Sequence, residues 1–173
     1  MYSLTKKTLL LLALISTLIV MSCASDEEET PTPPDMMDSD PIEVEIWTGS
    51  TITFTKADGA DPTEEANQDR LTENVWITRG NSGGEIFNIQ SESASTMGTS
   101  PAGTLWALGT TDNANNLNFA SFRTAVGEPR DVVGKDLVLF LVEDEVILDI
   151  KFTSWSQGRT NGGGFAYERS TSN

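Results

Sequence analysis

The chain has 173 residues, a net charge of −15, no histidine and a single cysteine, Cys23. Without histidine, Ser-His-Asp and Cys-His catalysis, His-ligated zinc and haem are excluded, and one cysteine cannot form an internal disulfide. The acidic balance removes nucleic acid as a partner, because gripping phosphates needs a basic footprint; carboxylate chemistry, hard-cation binding through oxygen and recognition by aromatic surfaces remain.

In chain order, Lys6 and Lys7 come first, then the apolar run LLLLALISTLIV over 9–20, then Met21 and Ser22. A charged start, a short apolar run and a small residue before the cut predict a secretory signal over 1–22, since a membrane span needs about 20 apolar residues. Val20, Met21, Ser22 and Cys23 resemble a bacterial lipobox. The resemblance implies cleavage before Cys23 and lipidation of that residue with palmitate-type acyl chains, each buried methylene contributing about 0.8 kcal/mol to anchoring. An unmodified cysteine after an ordinary export signal is the alternative. Ser25, Asp26, Glu27, Glu28 and Glu29 resemble the export tag of surface-exposed lipoproteins of Bacteroidota. That implies a lipid-anchored protein of the outer membrane facing the exterior; a plain acidic linker facing the periplasm is the alternative.

The signal holds two lysines and no acid, so cleavage takes the net charge from −15 to −17. Residues 24–41, ASDEEETPTPPDMMDSDP, contain seven acids, four prolines and no base. Such a stretch has too little apolar surface to order itself, so 23–41 is expected to be a disordered, polyproline-like tether reaching on the order of 55 Å. Residues 42–173 then form one domain, long enough for a single core and too short for two. Hydrophobic burial, with an ion if one is bound, must hold it.

The domain has the periodicity of strands. In IEVEIW (42–47), Ile42, Val44 and Ile46 are expected inward against Glu43 and Glu45, and in STITFTK (50–56), Ile52 and Phe54. PTEEANQDRL (62–71) predicts one helical turn. NVWIT, EIFNI, TLWAL and NLNFASF read as short strands bounded by Gly, Asn, Ser and Pro. DLVLFLV (136–142) is apolar at every position after Asp136, as in a strand covered on both faces. Glu143, Asp144 and Glu145 then turn the chain into a second strand with Val146, Leu148, Ile150 and Phe152 inward. GFAYERS (164–170) is the last strand, after the loop SQGRTNGGG (156–164). The whole predicts an all-β protein: a single β-sandwich, jelly-roll-like, of about 8–10 antiparallel strands with room for one short helix.

Three kinds of candidate site follow. Asp58, Asp61, Glu64, Asn67 and Asp69, with Glu65, crowd oxygen ligands into one turn-forming stretch, and Ca²⁺ takes about six to eight such oxygens. Calcium is the one candidate cofactor, and a solvated acidic loop is the alternative. Asp112, Asn113, Asn115 and Asn116 form a second oxygen-rich stretch, or simply a turn. Trp47, Trp76 and Trp155 alternate with the aliphatic members of their strands. If their face is solvent, the indoles offer platforms for sugar rings, Trp155 beside the polar loop above all, with Arg79, Gln157, Arg159 or Asn161 supplying polar contacts. If it is not, they are core. Glu43 with Glu45, or Asp149 with a neighbouring carboxylate, would serve a glycosidase if about 5 to 9 Å apart.

The segments ENVWITRGN (73–81), SPAGTLWALGTT (100–111), DIKFTSWSQG (149–158) and GGGFAYERST (162–171) resemble a domain of secreted and surface proteins of diverse bacteria. The resemblance implies a single extracellular all-β module ending near Thr171, and no activity. The expected function is a non-catalytic binding module at the cell surface, its partners the outer membrane through the lipid anchor and a glycan or another envelope protein. An accessory lipoprotein subunit of an outer-membrane transport complex and a carboxylate-dependent glycan hydrolase are the alternatives.

Overall fold

The hairpin over 136–155 is the centre of the fold. In the computed structural model residues 43–173 are described, so Cys23, Ser25, Asp26, Glu27, Glu28, Glu29 and the tether lie outside the described residues. The described residues form nine strands: β1 (Glu45–Trp47), β2 (Ile52–Lys56), β3 (Asp69–Arg70), β4 (Trp76–Arg79), β5 (Ile86–Asn88), β6 (Thr104–Leu108), β7 (Asp136–Leu141), β8 (Val146–Trp155) and β9 (Phe165–Arg169). The larger sheet runs β2-β9-β8-β7-β6 and the smaller β3-β4-β5. This is the all-β, sandwich-like architecture expected, with antiparallel pairing throughout except that β1 lies parallel to β8.

One core joins the sheets. Ile77 and Ile86 of the smaller sheet share it with Trp106, Leu139, Leu148, Phe152 and Tyr167 of the larger. The apolar run of β7 is explained by cover on both sides, as expected. Leu137, Leu139 and Leu141 alternate into the core, while Val138 is equally buried on the other face. There the 109–120 segment crosses the sheet, Phe119 meeting Phe140 at 5.6 Å between ring centroids.

Four local expectations are corrected. In β1 it is Trp47, 8% exposed, that faces the core, and Ile46 that is left 37% exposed. Trp47 lies opposite Leu148 and Ile46 opposite Ile147, so the strand takes its parity from β8, and burying an indole removes more apolar surface than burying an isoleucine. In β2, Ile52 is 39% exposed at the sheet edge, while Phe54 packs on the core. NLNFASF is not a strand: only Ala120 bridges to Trp106, and Ser121 then caps α1 (Phe122–Val126), its hydroxyl accepting from Thr124 N–H. The predicted helical turn in 62–71 shrinks to a 3-10 turn, Glu65–Asn67, before β3.

Candidate functional site

Loop 156–164 has the composition of a mobile segment, yet it is tied down at both ends. Arg79, the last residue of β4, is 2% exposed. Its Nε donates to Gly84 O at 2.9 Å, and its Nη1 to Ser156 O at 2.9 Å and Gly164 O at 3.2 Å. Burial lowers its pKa to about 10, with the charge of Asp58 acting the other way, so it stays cationic at neutral pH. From the opposite side, Asp58 Oδ1 accepts from Ser156 Oγ at 2.5 Å and from Gly164 N at 2.8 Å. Lys56, 1% exposed, donates to Asn81 Oδ1 at 2.7 Å, and burial first, then the charge of Arg79, lowers its pKa. Gly163 has φ +64, and a Cβ there would lie 2.0 Å from Gly80 O, so only glycine lets the loop approach the β4–β5 turn.

The Asp58 clasp should be acid-sensitive. The hydrogen bonds from Ser156 and Gly164 hold its carboxyl below the ordinary 3.8, so between the two values the folded chain binds fewer protons than the unfolded chain. Its contribution is therefore present above pH 3.8 and lost as pH falls through the lower, folded value. Amide exchange at Gly164 is expected to accelerate as pH drops below 3.8 relative to an Asp58→Asn variant, which lacks that titration. An identical pH response in the two proteins would refute the clasp.

The tryptophans are corrected as platforms. A β-bulge at Thr153, between Phe152 and Ser154, shifts the parity of β8 and turns Trp155 onto the same face as Phe152. Trp155 accordingly packs on Phe122, Phe152 and Phe165, and the Arg79 guanidinium lies 3.8 Å from its ring centroid. Trp76 is half-buried, with Arg70 over its ring at 4.3 Å and its N–H donating to Thr72 O at 3.0 Å. Arg79 is thus a structural group, and one face of each of these two indoles is taken by an arginine. Of the polar partners proposed, Gln157 and Asn161 are exposed, and Asn161 Nδ2 donates to the backbone O of Gln157 at 2.6 Å. Arg159 faces a groove.

The proposed calcium ligands do not converge. Asp69 is buried in a pair with Arg169, Asp58 holds loop 156–164, Asp61 accepts from Thr63, and the Asn67 amide donates to Asp61 O. Glu64 stays exposed. Among the described residues no three His, Cys, Asp or Glu side chains group so as to hold a metal ion. Residues 111–116 form a 3-10 turn whose Thr111 N–H and hydroxyl both donate to Asp149, so both carboxylate oxygens of Asp149 are occupied.

Two grooves remain. The larger, about 440 Å³, opens over the junction of β1, β8 and β9 and is lined by Trp47, Asp136, Asp149, Lys151, Glu168 and Arg169. Several of its charged groups are already engaged: Lys151 pairs with Asp136 at 2.9 Å, Arg169 with Asp69 outside the groove, and Asp149 accepts from Thr111. The smaller, about 350 Å³, lies between the β4–β5 turn, the region after α1 and loop 156–164, and is lined by Glu85, Met97, Arg123, Arg130 and Arg159 among others. Glu85 is 3% exposed and its Oε1 accepts from Arg123 Nε at 2.7 Å and Gly98 N at 3.1 Å. Its Oε2 is buried and has no hydrogen-bond partner. The hydrogen bond that Arg123 donates to Glu85 holds its guanidinium above its ordinary pKa, against a smaller opposing effect of burial.

Glu85, Arg123 and Arg130 escape a reading of the chain in one dimension. Glu85 stands before a short apolar strand and meets Arg123 only because α1 folds back, and no spacing motif joins them. No protein-family model, no curated protein and no solved structure matches this chain.

Proposed function

We propose that the protein is a lipid-anchored, non-catalytic binding module displayed at the outer membrane, with a glycan or another envelope component as its ligand. The anchoring half rests on the lipobox-like residues 20–23 and the acidic tag after them. The binding half is carried by the groove at Glu85, which is bordered by a buried carboxylate and three arginines, two of them exposed and without a salt bridge among the described residues. Of the carboxylates named for a hydrolase, both oxygens of Asp149 are held by Thr111, which weighs against cleavage at that position.

A glycan array probed with the full-length chain tests the binding half. Retention on one class of polysaccharide is the expected result, and a blank array together with no retention by isolated envelope polymers would overturn it. Mass spectrometry of the N-terminal peptide tests the anchor: an acylated Cys23 is expected, and an intact 1–22 segment on the mature protein would refute it.

A further inference from the structure

We propose that Lys56 and Asn81 are the partners of an intramolecular isopeptide bond, the lysine Nζ replacing the asparagine Nδ2 and ammonia leaving. The inference goes beyond the binding-module reading and does not depend on what the groove takes.

Lys56 is in an unusual place for a lysine. It is the last residue of β2 and 1% exposed, and among the described residues no carboxylate makes a salt bridge to it. Lysines are almost never buried this far unless paired with an acid, because a desolvated ammonium is costly. The fold gives it a neutral amide instead. Asn81, in the turn between β4 and β5 of the other sheet, accepts from Lys56 Nζ through Oδ1 at 2.7 Å. A nitrogen at that distance from Oδ1 stands about 3–4 Å from Cγ, given a C=O bond of about 1.23 Å, which overlaps a near-attack separation of about 3–3.5 Å.

The surroundings favour the attack. Burial first, then the charge of Arg79, lower the Lys56 pKa against the opposite pull of Asp58 and Asp61, and so enlarge the share present as free amine, the nucleophilic form. The same guanidinium charge favours the oxyanion that forms on Oδ1 as Nζ adds to Cγ. Asn81 Nδ2 donates to Gly59 O at 3.1 Å, which fixes the amide in one orientation. The Nζ lone pair forms the new C–N bond and the Cγ–Nδ2 bond breaks. One Nζ proton passes to the departing nitrogen, which leaves as ammonia through the half-buried side of Asn81. Nothing is oxidised or reduced and no co-reactant is consumed. The product ties β2 of the larger sheet to the turn of the smaller one, a cross-link that a chain with a single cysteine cannot obtain from sulfur.

Mass spectrometry of the denatured full-length chain is the test. A mass below that of the sequence by one ammonia is expected, and trypsin should fail to cut after Lys56 and release a branched peptide in which Lys56 is joined to Asn81. Asn81→Asp offers the ammonium a carboxylate of the same shape, so that variant should fold, show its full sequence mass and give no branched peptide. Lys56→Met should likewise show its full sequence mass. A wild-type chain at its full sequence mass, cut freely after Lys56, would overturn the proposal. So would an ammonia loss that maps to another asparagine with no branch at Lys56. A branched peptide that persists in Asn81→Asp would refute Asn81 as the partner.

Discussion

Asp69→Ala is expected to lower the free energy of unfolding in urea by about 3–5 kcal/mol, the usual cost of stranding one member of a buried ion pair. Asp69 on β3 reaches across the core to β9. Its Oδ2 accepts from Arg169 Nε at 2.6 Å and from the Tyr167 hydroxyl at 2.7 Å, and its Oδ1 accepts from Arg169 Nη2 at 2.8 Å. Both charged side chains are 7% exposed, so water cannot replace the lost carboxylate. The double change Asp69→Leu, Arg169→Met should recover most of the loss, because removing both charges also removes their desolvation. A single variant within about 1 kcal/mol of wild type would sink the account. Tyr167 adds a pH signature. Burial first, then the charge of Asp69, hold its phenol well above 10.0, so above that pH the unfolded chain releases a proton that the folded chain keeps. Its contribution is present below pH 10.0 and lost as pH rises past it, so the stability gap between wild type and Tyr167→Phe should narrow there.

What the chain discloses in one dimension divides along a physical line. The β7–β8 hairpin is legible because its apolar periodicity is local and its turn is built from consecutive acids, and the structure pairs Leu139 with Leu148 as that pattern requires. The face of Trp155 is not legible, because a bulge of one residue inverts parity and no residue at Thr153 announces it. Trp47 fails for a related reason, since three residues of β1 cannot fix their own orientation and take it from β8. The acids of 58–69 look like a ligand set only while their partners are unknown. Arg169, Ser156 and Gly164 lie about a hundred positions away and claim Asp69 and Asp58. The groove at Glu85 is hidden by the same distance effect, since long-range pairing of Glu85 with Arg123 creates both the burial and the orphaned oxygen.

Arg79→Leu is expected to destabilise the domain by about 3–5 kcal/mol and to free loop 156–164. Leucine would fill part of the space over Trp155, so the loss is not mainly one of packing. It comes from Gly84, Ser156 and Gly164, whose carbonyls lose their donor, at about 1–3 kcal/mol for each that water cannot reach. A cation–π contact at 3.8 Å, worth about 0.5–2 kcal/mol, goes with them. Arg79→Lys keeps the charge but replaces a planar fork that reaches Gly84 on one side and Ser156 with Gly164 on the other by a single point donor, so it should recover less than half of the loss. Amide exchange resolves the mechanism. Both variants should lose protection at Ser156 N–H, which donates to Gly164 O at 2.9 Å, before protection is lost in β7 and β8. Uniform loss across the sheet would mean that Arg79 supports the core as a whole, and an unaltered loop would mean that Asp58 alone secures it. The loop carries Arg159 into the groove, so its rigidity, set by a buried arginine outside the groove, governs how well that guanidinium is placed for a ligand.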